Sequence, residues 1–369
     1  MTLPVHWYRH DMGGAPVARG VAGDAIALLD ACLVNGFNLR TATSVVVSAE
    51  VATMTFSSAF GWLQHQVIEV AGATPAALNG EKRVSTVVGN SITFPAPGVA
   101  NGTATGTITC RTPGLGWSKV FSGANIAVYR APDIAGTRMF LRVDDTDSTR
   151  ARARGFETMS DVNTGTGPFP TDAQFSGGLV WRRSTTADTT ARPWTLVGDG
   201  AGFYYICRAS TTSNVVEWTF GDIASFVGAD AFRCAIGGGE SLTTDSSAAG
   251  LISRGGTSGC FVARASSQLG SSSRLFGFLA EYQGLEYPHL PNNGLMLRES
   301  VCMESGSRAR GTIRGFRRHM HDSSVNGGIF SLGQVLSATD GYNGLGLCLD
   351  GSSSTTLAFA GVVDLVGPW

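Results

Sequence analysis

Residues 67–94 read VIEVAGATPAALNGEKRVSTVVGNSITF. Apolar side chains alternate on either side of Asn79-Gly80, the period of strands that lay one face on a core. Gly takes positive φ at no steric cost, so Asn79-Gly80 predicts a turn and Gly89-Asn90 a second one. Val67, Val84 and Phe94 are the candidate core residues. The stretch holds few charges, no cluster of metal ligands and no evident nucleophile, so it reads as scaffold rather than as the edge of an active site.

The same pattern extends outward from Thr41 to Cys110. Ser44–Ser48, Val51–Phe56, Gln66–Val70, Arg83–Val88, Ser91–Phe94 and Gly102–Thr109 are predicted as short strands between Gly, Asn and Pro turns. Upstream, Ile26, Leu29 and Leu33 recur at spacings of three and four. Asp24 is placed to cap such a helix and Gly36 to end it. Downstream, Ala127–Arg130 and Arg138–Val143 flank a turn at Pro132–Gly136; Gly178–Arg182, Phe203–Cys207, Asn214–Phe220 and Phe261–Arg264 are further strands. The expected fold is mainly β. It has an N-terminal arm over 1–40 with a helix at about 24–35, a small β-sandwich or barrel module over 41–112, and a larger, sandwich-like β-rich region over 113–369. The Gly/Ser-rich stretch 237–249 reads as a mobile loop.

Only 15% of the 369 residues are charged, against roughly 25% in an average soluble protein. So little charge covers a monomer's surface poorly and points to burial against other chains. A net charge of -1 provides no field to draw in nucleic acid or an anionic membrane. Lys occurs only at Lys82 and Lys119; the excess of Arg reflects either codon bias or a preference for Arg at interfaces. The 7 Cys are dispersed without a C-x-x-C pair, as expected of buried, reduced thiols. The start MTLPVHWYRHDMGG shows no leader pattern, and no apolar run reaches the roughly 18 residues of a membrane span, so an intracellular origin without membrane insertion is expected.

The run Thr41–Cys110 resembles a small β-module that recurs in structural proteins of tailed bacteriophages. The motifs are Val67-Ile-Glu-Val-Ala-Gly-Ala73, Leu78-Asn-Gly80, Ile92-Thr-Phe94 and Gly106-Thr-Ile-Thr109. Phe60-Gly-Trp-Leu-Gln-His65 departs from the H-G-F or H-G-L and Gly-Asp turn of such modules, and Glu69-Val-Ala71 fills the place of their first Gly. Phe121–Arg130, Phe140–Thr146, Arg154–Met159 and Gly165–Pro170 are similar to tail or baseplate components. The resemblance implies a non-enzymatic virion component in the tail, at the baseplate or fibre-attachment region, made in the host bacterial cytoplasm. It implies other tail or baseplate proteins as partners and a homo-oligomer, trimer or hexamer. A receptor-binding module for a host-surface glycan or pilus is the alternative.

Candidate chemistry is sparse. Asp145 and Asp147, at alternate positions, could share a hard cation, or with Asp144 could pair with Arg142, Arg150, Arg152 and Arg154. Paired acids for glycoside hydrolysis are possible within Asp144–Asp147, which gives a depolymerising enzyme as a third reading. His319 and His321 would face one side of a strand and could hold a transition metal with Asp322 and His289; the alternative is a basic turn or a subunit contact. Gly256-Thr-Ser-Gly-Cys260 is not a nucleophile elbow, and no phosphate-cradling loop occurs, so neither a catalytic residue nor a cofactor is expected. Trp117, Trp181, Trp194 and Trp218 belong to the core or, for one or two of them, to a sugar-stacking surface.

Overall fold

The computed structural model describes residues 4–210, 215–239, 251–252, 259–277, 285–304, 308–321, 330, 333–350, 359–367 and 369. They are mainly β. No helix among them is long and apolar enough to cross a membrane.

Residues 37–112 form two sheets facing each other across one core. The first orders Phe37–Thr41, Thr109–Thr112, Val67–Ala71 and Gly80–Arg83. The second orders Thr86–Val88, Ser91–Pro95, Val51–Thr55, Ser44–Ser48 and Gly102–Thr103. Alternation sends Ile68 and Val70 inward from the first sheet to meet Val45, Val47, Ala52, Met54, Ile92 and Phe94 from the second. Val84 joins this core, whereas Val67, also buried, lies on the opposite face of its strand and outside that core.

The Asn79-Gly80 turn differs from expectation. A two-residue type I′ turn needs positive φ at both positions, but Asn79 has φ -76° and only Gly80 is positive, at 88°. The chain instead reverses through residues 72–79, over the short 3-10 turn Ala76–Leu78. Asn79 clamps that loop: its Oδ1 accepts from Ala73 N and its Nδ2 donates to Ala73 O, both at 2.8 Å. Gly89-Asn90 does form a two-residue hairpin loop, between paired Val88 and Ser91, with Gly89 at φ 56°.

The rest of the chain builds two further sheets. One orders Ser118–Gly123, Ile126–Arg130, Phe140–Asp144, Arg150–Met159 and Gly165–Phe169, with Leu179–Arg182 also paired to Arg150–Met159. The other has 13 described strands, running from His6–Arg9 through Trp194–Gly198, Gly202–Arg208 and Val215–Asp222 to Arg308–His319 and Phe359–Asp364. Both contribute to one core. The stretch expected as a mobile loop begins inside the strand Cys234–Gly237, and Gly238 and Gly239 bond Gly259 and Val180; its remainder lies outside the described residues.

The first forty residues do not stand apart as an arm. His6–Arg9 pairs with Trp194–Gly198. The helix Asp24–Leu29 continues as a π turn over Asp30–Asn35 and buries Leu28, Leu29, Cys32 and Leu33 completely. Deleting them would remove part of the chain's own core. The same segment anchors the first module sheet: His6 Nε2 lies 3.2 Å from Glu81 Oε2, Trp7 Nε1 donates to His65 O, and Arg83 donates to Val5 O and Leu365 O.

Asn79→Ala leaves the Ala73 N–H and C=O without these partners, so it should lower stability by about 1–3 kcal/mol in a denaturant melt. An unchanged midpoint contradicts the clamp.

Candidate functional site

Asp145 and Asp147 do not converge on a shared cation. Asp145 is fully buried and ion-paired to Arg183, itself fully buried. Its Oδ2 also accepts from Ala25 N at 2.8 Å and Ile26 N at 3.4 Å, the first turn of the helix. Burial raises its carboxyl to about 7, against the downward pull of Arg183 and of the two backbone N–H groups. Arg183 donates as well to Arg19 O, Val21 O and Asp147 O. The Asp147 carboxylate holds its own turn through Thr149 N and Oγ1, and Asp144 does the same through Thr146. These acids hold the fold together.

His319 and His321 do stack, with centroids 6.5 Å apart and planes at 12°. Both are buried. Yet Nδ1 of His321 donates to Glu286 O at 2.7 Å and Nε2 accepts from Met296 N at 2.8 Å. That pattern fixes one neutral tautomer and occupies the lone pair a metal would need. His289 is engaged with Asn292, and Asp322 lies outside the described residues. Among the described residues no three His, Cys, Asp or Glu converge as metal ligands.

The four tryptophans are core. Trp181 stacks on Trp218 at 5.2 Å and 4°, Trp218 on Tyr205 at 4.1 Å, and Tyr205 on Trp194 at 6.1 Å. Trp117, Trp181, Trp194 and Trp218 are each at most 2% exposed, and each indole N–H meets a main-chain carbonyl, of Asp199, Gly237, Pro16 and Arg182 in turn. Such burial leaves no ring face for a sugar. All 7 Cys are buried thiols outside any disulfide; burial pushes Cys207 and Cys302 up to about 12.

What the sequence reading passed over is a surface. The outer face of the second module sheet presents Ser44, Val46, Ser48, Val51, Thr53, Thr55, Thr86, Val88, Ser91, Thr93, Pro95 and Thr103. Cross-strand register lines up Thr103, Val46, Thr53, Thr93 and Thr86 in one row. Hydroxyls bond across the strands, Thr86 to Thr93 at 2.7 Å within this row and Thr55 to Ser91 at 2.9 Å in another. Val46, Val51 and Val88 are 42%, 42% and 73% exposed. In these strands and their two-residue turns the only charged residue is Glu50. The first sheet is the reverse: Glu69, Glu81, Lys82, Arg83 and Arg111 lie on its strands, with Glu69 paired to Arg111 at 2.6 Å. The signal was in the sequence, as the polar half of the alternation that identified the core.

No protein-family model matches the chain, and no curated protein matches its sequence.

Arg183→Met strands Asp145 as an unpaired buried carboxylate and should cost about 3–5 kcal/mol in urea denaturation. Adding Asp145→Asn removes the stranded charge, keeps an acceptor for the helix, and should recover at least about 1 kcal/mol. Simple additivity of the two losses contradicts the pairing.

Proposed function

We propose that the chain is a non-enzymatic structural component of a tailed-phage virion. It acts in the tail, at the baseplate or fibre-attachment region, by assembly of its own copies with rotational symmetry, as a trimer or hexamer, beside other tail proteins. The phage-module resemblance of residues 41–110 supports the setting.

The observation that carries the assembly reading is the charge-free outer face of the second module sheet. The module turns its charged sheet toward the body of the chain, through Glu81 and Arg83, and leaves the uncharged one in solvent. A face with exposed valines and no ions suits a partner that is also uncharged. Hydroxyls donate and accept alike, so the face suits another uncharged, hydroxyl-bearing surface of a neighbouring copy. A ring of three or six needs such a head-to-tail contact, because the same face pairing with itself closes a two-fold dimer. At about 4.8 Å per strand and 3.4 Å per residue, the face covers on the order of 400 Å². That is half the roughly 800 Å² per partner of a stable interface, so one contact is weak and a closed ring of repeated contacts is favoured.

The rival reading, a receptor-binding module for a host-surface glycan or pilus, loses Trp117, Trp181, Trp194 and Trp218 as a stacking surface.

A lysine at Val46 or Thr53 would have to be desolvated against the neighbouring copy. Val46→Lys and Thr53→Lys should each weaken self-association about tenfold or more in sedimentation velocity, with the melting temperature held. An oligomer unaffected by both overturns the reading.

A further inference from the structure

A second feature lies away from the module. A cavity of about 370 Å³ opens where the 131–138 turn, the 222–233 segment, Arg314 and Trp369 meet. That volume is within the range of small-ligand sites.

Its floor is already neutralised. Asp222 accepts from Thr137 N and Oγ1 and pairs with Arg233 Nε at 3.0 Å. Arg233 donates its other groups to Asp230 O and Ala135 O. Asp230, also in the lining, is held by Arg310, Ser225 and Phe232 N. Such a floor is rigid and carries no uncompensated charge to select an ion.

Two groups remain with capacity. Asp133 uses Oδ1 for Ala135 N, which leaves Oδ2 as an acceptor. Arg314 uses Nε and Nη2 for Trp369 O and Asp199, which leaves Nη1 as a donor. Trp369 supplies a ring. Its indole lies flat over Gly315, where a Cβ would come within 2.5 Å of it, and its Nε1–H is taken by Asp364 O at 2.7 Å.

We infer that this cavity binds a neutral saccharide unit. One acceptor, one donor and the Trp369 ring match a molecule whose hydroxyls both donate and accept and whose C–H faces stack on rings. An anionic ligand would meet Asp133, and a cationic one Arg314. The site shares no residue with the charge-free module face and does not depend on assembly.

The test is calorimetric titration of the full chain with maltotriose, cellotriose, mannotriose and lactose. At least one of these should bind with a millimolar or tighter Kd. Trp369→Ala and Asp133→Asn, both in the lining, should each weaken binding about tenfold. Val46→Lys should leave it unchanged, which separates this site from the assembly face. The inference is overturned if none of the four sugars binds at millimolar concentration, or if binding persists undiminished in both cavity variants.

Discussion

A single buried guanidinium organises the centre of this molecule. Arg183 has no exposure, and a charge removed from water survives only with its donors satisfied. Its fork reaches Asp145, Arg19 O, Val21 O and Asp147 O. Those partners come from the N-terminal segment and from the turn after Phe140–Asp144, and Arg183 itself follows directly on the strand Leu179–Arg182. Asp145 passes the constraint on by capping the helix Asp24–Leu29, whose apolar side joins the same core as Trp181, Trp218 and Tyr205. From there His6–Arg9 enters the long sheet and grips the first module sheet. Moving one of these pieces leaves a buried charge or a buried carbonyl unpaired.

The chain's preference for Arg over Lys gains a physical sense here. A planar fork can serve several carbonyls at once, whereas an ammonium is a point charge. Arg83 donates to His65 O, Val5 O and Leu365 O, and Arg192 to Ala209 O and Thr190 O. These arginines hold loops and chain segments within one copy. The contact surface proposed above carries hydroxyls and valines instead.

Much of the fold was legible from residue order. Alternation in Ser44–Ser48, Val51–Thr55 and Ser91–Pro95 named both the inward residues and the outward ones. The period of Ile26, Leu29 and Leu33 marked the helix. What escaped depends on long sequence separation. Asp145 lies 120 residues from Ala25 and 38 from Arg183, so nothing local distinguishes it from a solvated acid. The neutral state of His321 is set by main-chain groups of Glu286 and Met296, which leave no mark on the residues around it. Val67 was assigned to the module core because its neighbours alternate, yet Ile68 takes that place: two adjacent apolar residues leave the inward one undecided. Asn79-Gly80 was misplaced because its turn signal says where a chain can reverse, and here the preceding loop does the reversing.

In the proposed assembly one surface of the module is covered. A density map of the native oligomer tests this most directly. It should show copies related by three-fold or six-fold rotation, meeting through the face that carries Val46, Thr53, Thr86 and Thr93. An oligomer whose copies meet elsewhere and leave that face in solvent would contradict the account.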